Sequence, residues 1–439
     1  MIRSDPVRVL MLGWEYPPRF VGGLGKASQG IARGLTDLGA EVLFVLPRFR
    51  RSQADTRLQV SGARQWLLDH GARTMRKSRA SQLLGVTARL RPYARPADAV
   101  ASLPAHPPAA GGGHETVGDA SALYGANLGD EVAHFAERVT AIAGQVSADL
   151  VHAHDWMTFP AAMAAAERLR CPLFLHVHST EYDRSGEGVH PGIAAIEREA
   201  CQRADHVFAV SDYTRGILVS RYGIEPDKVS VVYNAPDAED LPSPAPFEPD
   251  TRQPWVVFLG RLTFQKGPDH FLRAAAEVAR LDAAARFLVC GSGDMLDALK
   301  QQVRDLGLAG RVEFRGFLTP GAVDRLLAQS SLLVMPSVSE PFGLVALEAL
   351  RAGTPVVLSR QSGVREVLGH SLQVDFWDHE KLADQILAVL RLPVLARQLV
   401  EEGRAQLARL SWDESAQRVA DAYARVVQID VAARADTGA

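Results

Sequence analysis

The chain has 439 residues, 47% hydrophobic and 23% charged, and its 48 Lys+Arg against 51 Asp+Glu leave a formal charge of -3. That balance belongs to a globular protein of about two or three compact units, and it excludes a disordered or fibrous chain. Cys171, Cys201 and Cys290 are widely spaced with no Cys-x-x-Cys, which excludes a disulfide framework or a zinc ribbon and points to a reducing compartment.

The apolar run Val9 to Trp14 is too short for a signal peptide, and no stretch approaches the ~18 to 20 uncharged residues of a spanning helix, so a cytoplasmic protein is expected. Val7 to Gly13 reads as a strand. A Pro/Gly-rich loop follows, then a helix from Lys26 with Ile31, Leu35 and Leu38 on one face, then a second strand from Glu41 to Pro47. The alternation continues through strands at Asp149 to Ala153, Leu173 to Val177, His206 to Val210 and Val229 to Tyr233. Ala235 to Pro254 carries six prolines and five acidic residues, which reads as a semi-rigid linker. After it, strands at Trp255 to Gly260, Arg286 to Cys290, Val312 to Gly316, Leu332 to Met335 and Pro355 to Leu358 alternate with helices, among them Asp269 to Leu281 and Phe342 to Ala352. The expected fold is α/β, two doubly wound Rossmann-like domains with parallel sheets covered on both faces. Ligands of such sheets bind beyond the carboxyl ends of the strands. Arg48 to Arg95 breaks the pattern with eleven Arg and one Lys against Asp55 and Asp69, and it reads either as a polyanion surface or, preferably, as a solvated excursion.

Several loops carry residues suited to chemistry. Gly22-Gly23-Leu24-Gly25 lies between a strand and a helix, where backbone N–H groups bind an anion or the glycines simply make a turn. Gly291-Ser292-Gly293 is open to the same two readings, although neither stretch has the spacing of a dinucleotide fingerprint. Arg261 and Lys266 stand near a helix start, as a phosphate leaving group requires, or serve as surface ion-pair partners. Glu340 and Glu348 bracket Gly343 and Leu344. The two carboxylates suit sugar hydroxyls and the two amides suit a phosphate, while Glu340 alone is also a fitting helix-dipole partner. His152/His154 and His176/His178 are His-x-His pairs whose members point the same way in a strand, followed by Asp155 and Glu181. They admit a metal-dependent hydrolase, against which stands the absence of His-Glu-x-x-His and of Asp-x-Asp.

Together the stretches WEYPPRFVGGLGKAS, VHAHDW, HVHSTEYDRSGE, ADHVFAVSDYTRGIL, KVSVVYNA, FLGRLTFQKGPD, VCGSGD and PSVSEPFGLVALEALRAGTPVV resemble the retaining two-Rossmann (GT-B) glycosyltransferases of the large family containing glycogen, sucrose and sucrose-phosphate synthases. The resemblance implies two domains facing across a cleft. The first is residues 1–234 with an Arg-rich insertion near 48–116, the linker is 235–254, the nucleotide-sugar domain is 255–410, and a helix and tail at 411–439 return to the first. It implies that Arg261 and Lys266 stabilise the departing diphosphate, that Glu340 contacts the donor sugar, and that Glu348 binds the ribose. His178 is implied near the reacting sugar, Gly22 and Gly23 on the loop that closes on the phosphates, Gly343 and Leu344 at the donor, and Asp155 on the acceptor side. The implied activity is glucosyl transfer from ADP- or UDP-glucose to the non-reducing end of an α-1,4-glucan, with no cofactor, metal, nucleic acid or membrane span. Phe20 and Met157 depart from the glycogen synthase pattern, which keeps a lipid-linked or small sugar acceptor as an alternative.

Overall fold

A computed structural model describes residues 6–17, 22–47, 58–62, 81–85, 128–236 and 252–436, with 58–62, 81–85 and 428–436 described by their backbone alone. Strands β1 (Arg8–Leu12), β2 (Glu41–Leu46), β3 (Leu58–Gly62), β4 (Ser81–Gly85), β5 (Leu150–His154), β6 (Leu173–Val177), β7 (His206–Ala209) and β8 (Val229–Val231) form one sheet in the order β3-β4-β2-β1-β5-β6-β7-β8. Strands β9 (Gln253–Leu259), β10 (Arg286–Cys290), β11 (Val312–Gly316), β12 (Ser330–Met335), β13 (Val356–Ser359) and β14 (Leu372–Val374) form the other, in the order β11-β10-β9-β12-β13-β14. Pairing is parallel, with Val9 opposite both Val42 and Leu150, and Val257 opposite both Leu288 and Leu333. The architecture is the expected GT-B type, with two Rossmann-like sheets.

The chain divides into two compact units, one of Met1–Leu175, Arg203–Asp205 and Tyr423–Ala439, the other of His176–Gln202 and His206–Ala422. In the first unit every residue of β5 is buried, His152 and His154 included, because a central parallel strand is covered on both faces. The helix Gly23–Asp37 buries Ala27, Ile31 and Leu35, a stripe at helical spacing. Leu38, expected on that stripe, is instead the C-cap and 48% exposed, since the helix stops at Asp37 and Gly39 turns the chain at φ 94°. The helix Leu128–Ala143 buries Phe135, whose ring meets Trp14 edge-on at 5.5 Å.

In the second unit the helix Pro268–Leu281 buries Phe271, Leu272, Ala275 and Val278, in one cluster with Leu382 and Ile386 of the helix His379–Arg391. The helix Leu344–Arg351 buries Ala346, Leu347 and Leu350 in a second cluster with Leu333 and Leu358. It starts at Leu344, where Phe342 had been expected, because Gly343 takes up φ 112° as its N-cap.

The Arg-rich segment is more than a solvated excursion, because β3 and β4 lie within it and extend the first sheet beyond β2. The rest of 48–95, and 237–251 of the expected linker, lie outside the described residues. Among the described residues no helix is long and apolar enough to cross a membrane.

Candidate active site

Strand order locates the site in each unit. In the second sheet the chain runs from β9 outward through β10 to β11, then crosses to β12 and runs outward the other way through β13 to β14. The loops leaving β9 and β12 therefore diverge, opening the crevice where doubly wound sheets bind ligands. Arg261 and Lys266 lie on the loop after β9, and Glu340 and Gly343 on the loop after β12.

Backbone contacts hold the first of these loops. Gly260 N–H donates to Cys290 O at 3.0 Å, and Leu262 N–H to Ser292 O at 2.9 Å. Gly291 has φ 139°, and a Cβ on it would lie 1.8 Å from Gly260 O; one on Gly293 would lie 2.3 Å from Leu262 O. The glycines of Gly291-Ser292-Gly293 thus have a structural reason: the loops after β9 and β10 lie backbone on backbone. Arg261, partly buried, is set by this stack.

The 3-10 turn Phe264–Lys266 is strapped to the loop after β12. Gln265 is buried, and its carbonyl accepts the N–H groups of Val338 at 3.0 Å and Ser339 at 3.4 Å. Gly267, at φ 63°, passes so close to Pro336 O that a Cβ would lie 2.2 Å from it.

Lys266 Nζ donates to Glu340 Oε2 at 2.6 Å, with the two side chains 21% and 6% exposed. Ser337 Oγ donates to the same oxygen at 3.3 Å. The backbone of Glu340 is fixed on both sides, its N–H donating to Gln361 O and its carbonyl accepting Gly363 N–H, each at 2.8 Å. Two residues assigned separately from the sequence are therefore ion-pair partners. Gly343 turns the chain into the next helix, where Leu344 and Glu348, four residues apart, share the less buried stripe. The leading N–H groups of that helix have no acceptor within it, which suits an anionic ligand.

His178 follows β6 in the same unit, its ring stacked on His176 at 4.5 Å. Burial pushes its imidazole down to about 3, so it is neutral at physiological pH. Five residues on, Asp183 accepts Thr180 N–H and Oγ–H, each at 2.7 Å, in a capping box at the start of the helix Glu181–Ser185. Its other oxygen accepts Ser339 Oγ–H at 2.5 Å, and Tyr213 OH lies 3.0 Å from the same Ser339 hydroxyl. Burial raises the Asp183 carboxyl above its ordinary range. Beside this link, Ser211 Oγ donates to Pro341 O at 2.6 Å, and Glu366 accepts the N–H groups of Asp212 and Tyr213, both at 2.8 Å. The segment after His178 and the loop carrying Glu340 are thus joined by Asp183, Ser339 and Tyr213. Sequence reasoning missed all three, although Thr180-x-x-Asp183 has capping-box spacing.

In the first unit β1 and β5 are the neighbours from which the sheet runs in opposite directions, so the loops after them mark its crevice. Gly22 is the N-cap of Gly23–Asp37, with Gly23 its first residue, so the glycine stretch opens the helix rather than preceding it. A Cβ on Gly22 would lie 2.7 Å from a carboxylate oxygen of Glu15. Asp155 directly follows β5, buried and at φ 61°, a left-handed conformation that Asp tolerates better than most residues. Thr158 N–H and Oγ–H hold its carbonyl at 3.0 and 2.9 Å. His152 and His154 stack ring on ring at 4.7 Å, and His152 Nδ1 bonds the hydroxyl of Tyr423. In both His-x-His pairs, then, the side chains converge as stacked rings.

Comparison with known proteins agrees with this layout. The family model described as Glycosyl transferases group 1 matches residues 243–406, and the one described as Glycosyltransferase Family 4 matches 127–240. An uncharacterised glycosyltransferase of Methanocaldococcus jannaschii is 28% identical over 87% of this chain and 87% of its own. A glycogen synthase of Mycobacterium tuberculosis is 28% identical over 96% and 94%. A D-inositol 3-phosphate glycosyltransferase of Rhodococcus opacus is 33% identical over 63% of this chain and 67% of its own. Among solved structures, a sucrose-phosphate synthase from Thermosynechococcus elongatus has a TM-score of 0.71 at 17% identity, covering 96% of this chain and 100% of that one. HepE of Anabaena, in complex with UDP and glucose, has a TM-score of 0.65 at 20% identity, covering 95% and 100%. With two parallel Rossmann-like sheets, glycosyltransferase family models matching residues 127–240 and 243–406, and a relative 33% identical over two thirds of its own length, the chain belongs to the group 1 glycosyltransferases of GT-B architecture.

Proposed function

We propose that this glycosyltransferase moves a glucosyl unit, with retention, from a nucleoside-diphosphate glucose to the non-reducing end of an α-1,4-glucan. The observation that carries the reading is the Lys266–Glu340 pair beside Arg261 at the crevice of the second sheet. In the transfer the bond from the sugar's anomeric carbon to the diphosphate breaks and a bond to the acceptor hydroxyl oxygen forms on the same face. The hydroxyl proton passes to the departing phosphate. Negative charge grows on that phosphate as the bond breaks, and preorganised cations stabilise such charge more than they stabilise the ground state. Arg261 grips oxygens bidentately and Lys266 adds a point charge, while Glu340 accepts hydrogen bonds from sugar hydroxyls and Glu348 holds the ribose. A neutral His178 offers a hydrogen bond to the sugar without adding charge. Gly22 and Gly23 close on the phosphates and Asp155 lines the acceptor side. No divalent cation is needed.

Glucan as acceptor is supported by the glycogen synthase relative, alike over nearly the whole chain. A small or lipid-linked acceptor is the second reading, favoured by Met157 and by the relative that acts on D-inositol 3-phosphate. Incubation with a panel of nucleotide sugars, with and without glycogen, maltooligosaccharide or inositol phosphate, and with EDTA throughout, tests both. Diphosphate nucleotide released only with glucan supports the first reading. Release only with the small acceptor replaces it with the second, and complete loss in EDTA refutes metal-free transfer.

A further inference from the structure

Eight large apolar side chains are exposed among the described residues: Leu38, Phe264, Leu281, Leu306, Phe317, Trp377, Leu392 and Val394. Single exposed apolar side chains are ordinary on a protein surface, and the five aliphatic ones sit at or next to helix ends, where the apolar stripe runs out. Phe264 differs in its setting. It is 48% exposed and lies two residues before Lys266, on a turn with little freedom to move. Its neighbour Gln265 is buried and clamped through its carbonyl, Lys266 is paired with Glu340, and Gly267 is wedged against Pro336 O. The backbone that carries the ring is thus held in place.

The ring's neighbour is also informative. A Cβ on Gly186 would lie 3.4 Å from Phe264 Cε1, and Gly186 ends the helix Glu181–Ser185 on the segment that follows His178. With φ 59° and ψ -129°, Gly186 holds a backbone form that other residues rarely adopt, and its lack of a side chain keeps that edge of the ring uncrowded. The turn thus turns Lys266 inward to the carboxylate and carries Phe264 at the junction with the His178 segment.

We propose that Phe264 is the stacking platform for the acceptor, an uncharged pyranose whose apolar C–H face lies on the ring. This rests on the glycosyl-transfer reading and adds the kind of acceptor that reading takes. An aromatic face is electron-rich and apolar, and it attracts the polarised C–H bonds of a sugar while offering nothing to a diphosphate. The donor's charged groups already have Arg261 and Lys266, and its sugar has Glu340. Phe264 is an exposed large apolar group on the same loop as Arg261 and Lys266, and binding sites combine such a surface with a few polar groups that fix orientation.

The test compares wild type, Phe264→Ala and Phe264→Tyr in the full chain. Maltotriose binding is measured by saturation-transfer NMR and calorimetry, and transfer kinetics are measured beside it. Phe264→Ala is expected to weaken maltotriose binding and raise the acceptor KM by about tenfold, with the donor KM and Tm nearly unchanged, and Phe264→Tyr to stay close to wild type. Binding that is lost in Phe264→Ala upholds the platform even if wild type transfers no sugar, an outcome that would sink the glucan-transfer reading instead. Equal maltotriose binding by wild type and Phe264→Ala overturns the proposal. So does a wild type that binds no maltotriose, or a Phe264→Ala variant that only loses Tm.

Discussion

Lys266→Ala should separate a structural from a catalytic contribution at one position. The ammonium it removes stands 2.6 Å from Glu340 Oε2, and that carboxylate is only 6% exposed. Two unit charges about 4 Å apart attract by roughly 4 kcal/mol at an effective dielectric near 20, and desolvation takes back much of it. A net loss of about 2 kcal/mol is expected, in the range for hydrogen bonds to charged groups and above that of a surface pair. For a unit of about 150–250 residues this lowers Tm by roughly 4–8 °C. In the proposed transfer the same ammonium meets charge that develops as the glycosidic bond breaks, so kcat should fall by about 10²-fold or more.

The double variant Lys266→Ala/Glu340→Gln distinguishes the two effects. A neutral amide needs no counter-charge, so the double variant should regain part of the lost stability and none of the lost rate. Thermal melts and steady-state kinetics on wild type, both singles and the double complete the cycle. If Lys266→Ala keeps wild-type kcat while folded, the leaving-group assignment fails. If the double variant recovers rate along with Tm, the pair is only structural.

Glu348→Gln should act mainly on the nucleotide-sugar KM, by about 1 to 3 kcal/mol for a charged hydrogen bond, because the ribose changes little during reaction; a fall in kcat at unchanged KM would contradict this. Gly291→Ala should destabilise by about 3 kcal/mol or more and weaken nucleotide binding, since its Cβ would meet Gly260 O at 1.8 Å on a backbone at φ 139°. A wild-type Tm there would refute the loop stack. His178 titrates near 6.5 when unfolded and near 3 when folded, so the unfolded chain takes up the proton first. Stability from this group is fully present above about pH 6.5 and is lost as pH falls toward 3, by at most about 1.4 kcal/mol per pH unit. His178→Asn should therefore flatten the decline of Tm between about pH 6 and pH 4, and an unchanged slope would rule out the depressed imidazole.

What could be read from the chain and what could not divide along a physical line. The parallel α/β character was legible because strands buried on both faces are unbroken apolar runs such as Val42–Leu46. The place of Lys266 and Glu340 on loops after the carboxyl ends of β9 and β12 was legible, because the strands before them are distinct apolar runs. Their pairing was not, since the partners are 74 residues apart. Distance in sequence hid the rest of the framework too: Ser339 reaches Asp183 across 156 residues, and Glu366 caps Asp212 across 154. β3 and β4, five residues each, were obscured by the arginines around them, which speak for solvent, while β4 pairs with β2 and β3 with β4. The glycines show the ambiguity most plainly. Gly291 and Gly22 looked alike in the sequence, both candidates for an anion turn, yet Gly291 is fixed by a carbonyl pressed against its Cα, whereas the nearest described atoms to a Cβ on Gly22 belong to the movable end of Glu15. A glycine dictated by backbone contact constrains the scaffold, and one facing a side chain that can swing aside leaves room for a ligand to approach. On that criterion Gly291-Ser292-Gly293 is scaffold, and the proposed diphosphate contact falls to the Gly22 turn.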